Sequence, residues 1–221
     1  MTNRKAKLLL EDGTSVNGLG FGYWGNSFGE VVFNTGMVGY PETLTDPSYC
    51  GQILIFTYPL IGNYGIPSNE RENGLLKNFE SEKIYCSGVV ISDYSFNYSH
   101  YSAVKSLDEW LKENKIPGIY GVDTRMLTRK LREYGTMPGK IMSIDDEEFV
   151  NAAFVDPNLT DLVNIVSTKD IQYFEKGSKK IAIVDCGVKN NIIQAFLRRD
   201  ISVIRVPYDY DFTRLDVDGY V

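Results

Sequence analysis

Residues Gly29–Gln52, GEVVFNTGMVGYPETLTDPSYCGQ, decide how this chain is read. The stretch opens as a strand, because Val31, Val32 and Phe33 form a β-branched and aromatic run that suits a pleated, half-buried surface. It then turns repeatedly, at Asn34-Thr35-Gly36, Gly39, Pro41 and Asp46-Pro47-Ser48. Glycine supplies backbone angles that other residues avoid, and proline fixes φ and removes a donor. A loop of this composition is either merely irregular or carries a binding site. The order of its residues, not their composition, separates the two readings.

Upstream, Lys7–Leu10 and Thr14–Gly18 flank Glu11-Asp12-Gly13, and Asp-Gly between two strand-like runs signals a hairpin. Gly18, Gly20, Gly22 and Gly25 follow in LGFGYWGNSFG. No helix opens directly after them, as a dinucleotide fingerprint requires, so they read as a bulged strand and turn. Downstream, QILIFTY (52–58) and GVVIS (88–92) read as short apolar strands. Ser106 suits the N-cap of a helix through Asn114, with acids in its first turn. Pro117-Gly118 breaks away, and 119–122 is a short strand. Asp123 or Thr124 caps a second helix, whose Leu127, Leu131 and Tyr134 recur as a core-facing stripe until Gly135 stops it. Its Arg125, Arg129, Lys130 and Arg132 form either a solvated face or a contact with a partner subunit. Residues 145–154 read as an acid-started helix.

From Asp156 to Ser178 the pattern weakens into an inter-domain connection with local structure. At Lys179 a new signal starts. IAIV (181–184) is a parallel-type strand ended by Asp185-Cys186-Gly187. VKNNIIQAFLRR (188–199) is an amphipathic helix with Ile192, Ala195, Phe196 and Arg199 at helical spacing. ISVIRV (201–206) is a second strand, and DVDGYV (216–221) leads into a third. Strand–helix–strand at this spacing is a βαβ unit of an open parallel sheet.

The organising stretch resembles the small (glutaminase) subunit of glutamine-dependent carbamoyl-phosphate synthetase, whose first domain carries GEVVFNT-x-M-x-GY-x-E-x-LTDPSY. Further along, TYP-x-IGN-x-G and DTR-x-LTR-x-LRE-x-G-x-x-x-G-x-I match the same family. The D-x-G, K-x-NI and V-P punctuation of residues 185–207 resembles the opening of its class I glutamine amidotransferase domain. The resemblance implies an α/β fold: a layered β/β/α swivelling-type domain over 1–155, a linker over 156–178, and over 179–221 the first βαβ unit of a truncated amidotransferase domain. A piece of about 40 residues is near the lower limit for independent folding. It is therefore expected to pack on the first domain, pair with another copy or remain poorly ordered.

Composition narrows the chemistry. The 221 residues carry a formal net charge of −6, which disfavours nucleic acid and anionic membranes as partners. No apolar run approaches the roughly 20 residues needed to span a bilayer, and the start is too polar for a signal peptide. Cys50, Cys86 and Cys186 are odd in number and scattered, as in a reduced, cytoplasmic protein. The family hydrolyses glutamine with a Cys nucleophile in a G-x-C-x-G turn, a His base and an orienting Glu, because a thiolate and a matched acid–base partner are both required. None of these motifs occurs here. By the resemblance, the family's Cys, His and Glu correspond to positions beyond Val221. No catalytic residue is therefore assigned, and the 221 residues are expected to be inactive alone. Cys186 lies at a strand-to-helix junction, but Val184 stands where G-x-C-x-G demands glycine, and Cys186 reads as a small buried apolar residue; Cys50 reads likewise. His100 reads as a surface or packing residue. In the family, the Ser of LTDPSY helps bind glutamine across the interface with the amidotransferase domain, and that position is Ser48. On its own, Ser48 equally suits a turn hydroxyl bonded to its own backbone. The resemblance further implies a heterodimeric partner, the large subunit, which uses ATP and Mg²⁺ to make carbamoyl phosphate for pyrimidine and arginine biosynthesis. No cofactor or metal is expected on this chain. The competing reading is a non-catalytic module that docks on the large subunit.

Overall fold

Gly13 turns the chain at φ 85, and β1 (Lys5–Leu10) pairs antiparallel with β2 (Ser15–Gly22), the hairpin expected around Asp12-Gly13. The structure is a computed structural model that describes residues 4–221; Met1 to Asn3 of the start read as lacking a signal peptide lie outside it. β3 (Ser27–Asn34) leads into α1 (Tyr40–Leu44) and a 3-10 turn over Pro47–Tyr49, and β4 (Gln52–Phe56) returns parallel to β3. Next come β5 (Ile66–Pro67), the small hairpin β6 (Arg71–Glu72) and β7 (Leu75–Leu76), and β8 (Gly88–Val90). β9 (Ala103–Lys105) pairs with β5. α2 (Leu107–Glu113) precedes β10 (Pro117–Tyr120), and α3 (Thr124–Tyr134) precedes β11 (Met137–Ser143).

Seven of these strands close into a barrel in the order β1-β11-β3-β4-β8-β10-β2. Closure leaves no unpaired edge. β3, β4, β8 and β10 are mutually parallel, so the loops leaving their carboxyl ends share one end of the barrel and those arriving at their amino ends share the other. Side chains alternate across the wall. Ile53 and Ile55 join Leu8, Leu10, Val31, Val90, Ile119 and Ile141 in one buried cluster, with Leu127 and Leu131 of α3. Leu54 and Phe56 join the other, against α1 and the Trp110 and Leu111 of α2. Ser106 caps α2 in a full capping box with Glu109, and Asp123 rather than Thr124 caps α3.

Two expectations are corrected in this unit. Pro117-Gly118 lie inside β10: a Cβ on Gly118 would stand 2.3 Å from the Phe21 ring, so glycine lets β10 approach β2. Tyr134 is 68% exposed, because α3 ends there, at the C-cap Gly135, and its last turn leaves the core that holds Leu127 and Leu131.

After β11 the chain makes α4 (Glu147–Asn151), capped by Asp146, and α5 (Leu162–Val166), capped by Asp161. β12 (Gln172–Phe174), β13 (Lys179–Asp185), α6 (Asn190–Leu197), β14 (Ile201–Pro207) and β15 (Gly219–Tyr220) follow. They form a sheet in the order β12-β14-β13-β15, in which β13, β14 and β15 are parallel and β12, from within the expected connection, adds an antiparallel edge. Val221 continues the β15 pairing: its N–H donates to the Ala182 carbonyl and its carbonyl accepts the Val184 N–H, both at 2.9 Å. The whole is α/β with mixed sheets. The buried face of α6 differs from the expected one. Its buried residues are Asn190, Ile193, Gln194 and Leu197, while Ile192 is 42% exposed. The reason is polar. Asn190 Nδ2 donates to the carbonyls of Leu76 and Phe79 at 3.4 and 3.1 Å, and Gln194 Nε2 donates to that of Glu72 at 2.8 Å. These bonds seat α6 on the β6–β7 hairpin, so residues 179–221 pack on the first unit.

β11 also carries a buried lysine that the sequence does not announce. Lys140 is fully buried; its ammonium donates to the carbonyls of Phe149, Val150 and Ala152 at the end of α4 and lies 4.3 Å from the Phe154 ring. Burial pulls its pKa down. A cation at a helix carboxyl terminus satisfies acceptors that the helix leaves free.

Candidate functional site

Asp46 precedes a proline, which holds it extended at φ −70 and ψ 118. Its Oδ1 accepts the Ser48 N–H at 2.9 Å, and its carbonyl accepts the Tyr49 N–H at 3.1 Å. The residue before it is anchored from the other side: the Thr45 hydroxyl donates to the Pro41 carbonyl at 2.9 Å and accepts the Glu80 N–H at 2.9 Å. The Thr45 carbonyl accepts the Ser81 hydroxyl. The turn that presents Ser48 is therefore held from several directions. Ser48 itself is exposed, and among the described residues its hydroxyl has no hydrogen-bond partner.

This turn lies at the amino end of β4, and the βαβ unit packs there. Lys189, the N-cap residue of α6, places Nζ 2.6 Å from Asp46 Oδ2, with Asp46 only 11% exposed at the side chain. That bond raises the Lys189 pKa. Gly187, at φ 103, lets the backbone come close: a Cβ there would stand 3.2 Å from the Pro47 Cβ and 3.0 Å from Val166 Cγ2. At the carboxyl end of β13, the wholly buried Asp185 accepts N–H groups of Thr168, Gly187 and Val188 at 2.5, 2.9 and 2.8 Å, and Nε and Nη2 of Arg205 at 2.8 and 2.6 Å. These bonds fix the strand-to-helix turn. Ligands of open parallel sheets bind outside the carboxyl ends of the strands, and the Ser48 turn is packed against that edge.

The sulfur chemistry expected from sequence changes in one respect. Cys50 and Cys86 are buried, and burial raises both thiols, Cys86 to about 12. Cys186 is exposed, not buried as expected, because the preceding Asp185 takes the inward position at the end of β13. His100 is exposed, with Nδ1 2.7 Å from the Ser102 hydroxyl. It follows β8 at the carboxyl end of the barrel strands, whereas Cys186 neighbours the Pro47 turn at the amino end. The fold thus brings Ser48, Asp46 and Lys189 together and leaves the one histidine away from Cys186. Val221 is 61% exposed, beside the β13–β15 pairing that its backbone continues. Arg125, Arg129 and Arg132 of α3 are exposed, and Lys130 pairs with Asp12 at 2.6 Å. Among the described residues no three His, Cys, Asp or Glu gather as a metal site. Sequence reading missed Lys189 as a partner of Asp46. The only signal was opposite charge in two family-like motifs, LTDPSY and K-x-NI, more than a hundred residues apart.

Residues 8–141 match the family described as "Carbamoyl-phosphate synthase small chain, CPSase domain". The chain is 49% identical over 219 residues to mouse "Carbamoyl-phosphate synthase [ammonia], mitochondrial", covering 98% of itself and 14% of that protein. It is 51% identical over 216 residues to "Multifunctional protein CAD" of Squalus acanthias, covering 97% of itself and 10% of that protein. It is 48% identical over 214 residues to the "Carbamoyl phosphate synthase arginine-specific small chain" of Neurospora crassa, covering 95% of itself and 47% of that protein. The chain therefore spans about half of one curated relative and a seventh or less of the others.

Proposed function

The chain belongs to the carbamoyl-phosphate synthase small-chain family, and on that premise we propose that it forms the part of a glutaminase subunit that helps hold glutamine. In the complete protein, glutamine hydrolysis, by a Cys, His and Glu placed after the position of Val221, supplies ammonia to a large chain. That chain binds ATP and Mg²⁺ and makes carbamoyl phosphate for pyrimidine and arginine biosynthesis. The closed barrel and its helices, within residues 1–155, form the small-chain domain; residues 156–178 connect it, with β12 joining the second sheet, to residues 179–221, the opening of the amidotransferase domain. Three free cysteines fit a reduced, cytoplasmic site of action. Among the described residues no helix is long and apolar enough to cross a membrane.

One observation carries this reading: Ser48 stands exposed on a turn whose capping carboxylate, Asp46, is ion-paired to the first residue after the β13 turn. A hydroxyl fixed at that seam adds one hydrogen bond to a ligand lying on the sheet edge. A bond of this kind to a charged group contributes about 1.5–3 kcal/mol, so Ser48→Ala in the complete enzyme should raise the glutamine KM by about tenfold or more. Synthesis from free ammonia should not change. An unaltered glutamine KM refutes the role of Ser48. If the wild-type enzyme makes product from ammonia but none from glutamine, the unit does not serve a working glutaminase. The name of the mouse relative specifies ammonia, and this assay separates the two nitrogen sources.

The non-catalytic reading applies to residues 1–221 alone, because the exposed thiol and the one imidazole lie at different ends of the barrel. The purified chain should release no glutamate from glutamine. Release that disappears in Cys186→Ser overturns this.

A further inference from the structure

Asn-Gly occurs twice in the chain, at Asn17-Gly18 and at Asn73-Gly74. Both carry the same latent reaction. Glycine has no side chain to shield its backbone nitrogen, and that nitrogen lies within reach of the amide carbon of the preceding asparagine. Asparagine is thermolabile for this reason, and an attack within one chain needs only the right geometry. The fold treats the two sites differently.

Asn17 and Gly18 lie inside β2, opposite Lys7 and Ala6 of β1, and a Cβ on Gly18 would stand 2.4 Å from the Tyr120 carbonyl oxygen of β10. Turning that peptide toward the Asn17 side chain would break the wall of the closed barrel. Asn73 and Gly74 instead form the turn between β6 and β7, strands of two residues each. Their φ values are 52 and 83, the left-handed pair that an Asn-Gly hairpin turn adopts. A Cβ on Gly74 would meet nothing within 4 Å, and among the described residues the Gly74 N–H has no hydrogen-bond partner. So short a hairpin has little backbone pairing to hold it closed. Two side chains hold it instead. Arg71 Nη1 donates to the Gly74 carbonyl at 2.8 Å, and Asn73 Nδ2 donates to Gln194 Oε1 of α6 at 3.0 Å.

We propose that Asn73-Gly74 is a site of spontaneous deamidation, gated by the seating of α6, and that its product loosens that helix from the barrel unit. The reaction needs only water. The Gly74 nitrogen gives up its proton to solvent and attacks Asn73 Cγ. The new C–N bond closes a cyclic imide while the bond from Cγ to Nδ2 breaks, and Nδ2 leaves as ammonia with a proton from solvent. Water then adds to one imide carbonyl and opens the ring, so that residue 73 becomes aspartate or isoaspartate. While α6 is seated, Gln194 holds the Asn73 amide, so the attack requires a local opening of the hairpin from the helix.

The product cannot restore the seam. Gln194 Nε2 is committed to the Glu72 carbonyl at 2.8 Å, so a carboxylate at position 73 meets Gln194 Oε1, oxygen against oxygen. The cleft beside it is bordered by Glu42, Glu72 and Glu80 against Lys77 and Arg198, so the added charge enters surroundings that are already net negative. Isoaspartate also lengthens the backbone by a carbon, which shifts Glu72 against its partner Leu75. The N-cap of α6 is Lys189, the partner of Asp46, so loosening at this hairpin reaches the Ser48 turn.

The test ages the 221-residue chain at physiological temperature and pH and reads it by peptide mapping with mass spectrometry and by enzymatic methylation of isoaspartate. In the native chain the amide-to-acid mass gain should accumulate at position 73 while Asn17 keeps its amide. In denaturing urea both sites should convert at similar rates. Native conversion of Asn17 as fast as that of Asn73, or an Asn73 that stays intact while the unfolded chain converts, overturns the site. Gln194→Ala should speed conversion of Asn73 roughly fivefold, the effect of one hydrogen bond on a local opening, and leave Asn17 unchanged. An unchanged rate, or equal acceleration at both sites as global unfolding would cause, overturns the gating. The comparison of Asn73 with Asn17 needs no variant, so it decides the site even if Gln194→Ala fails to fold. Asn73→Asp, one of the two products, should accelerate amide exchange over residues 190–197, and unchanged exchange there overturns the effect on α6.

Discussion

Replacing Asp46 removes two bonds from one carboxylate. Asp46→Ala deletes the cap on the Ser48 N–H and the ion pair to Lys189. A lost cap costs about 1 kcal/mol. The ion pair is half-sheltered, with side-chain exposures of 39% and 11%. After discounting for solvent screening on the lysine side it contributes about 0.5–1 kcal/mol. Asp46→Ala should therefore cost about 2 kcal/mol. Asp46→Asn, which keeps an oxygen for the cap, should cost about 1 kcal/mol or less. For a chain of this length 1 kcal/mol shifts the melting temperature by about 2–4 °C. The decisive measurement is a double-mutant cycle with Lys189→Met in urea denaturation, where a coupling of about 0.5–1 kcal/mol is expected between Asp46→Asn and Lys189→Met. The pH dependence has a definite sign. Because the folded pKa of Lys189 is raised, the coupling is fully present below the lysine's ordinary value of 10.5 and fades as pH rises through the folded value. Additive effects at neutral pH, within about 0.3 kcal/mol, would refute the claim that this pair ties the Ser48 turn to α6.

Two further outcomes follow from burial. In the native protein a thiol reagent should label Cys186 quickly, while Cys50 and Cys86 react only after unfolding; rapid labelling of all three by mass spectrometry contradicts the placement of the two buried thiols. Lys140→Met leaves the carbonyls at the end of α4 without their donor and, net of the relieved burial of a charge, should cost about 2 kcal/mol. Amide exchange should accelerate first around residues 147–154, and unchanged protection there would show that the lysine does not hold the segment.

Local chemistry made much of this architecture readable before any coordinates. Asp12-Gly13 marked the first hairpin, Ser106 and Gly135 bounded helices, and the apolar runs at 181–184 and 201–206 became parallel strands. Each of these signals acts over a few residues, through backbone angles, caps and side-chain alternation, so the order of the chain contains it. The corrections share the opposite origin. Gly118 stays in β10 because a ring from β2 fills the place of its side chain. The buried face of α6 is chosen by Asn190 and Gln194, polar residues that find carbonyls on the β6–β7 hairpin more than a hundred residues earlier. Ser48 could be singled out from its motif, but its setting could not, since Asp46 and Lys189 meet across a comparable distance in the chain. Hydrophobic periodicity assigns polar side chains to solvent by default. Only when distant segments fold together does a buried amide, carboxylate or ammonium acquire the partner that makes its burial favourable.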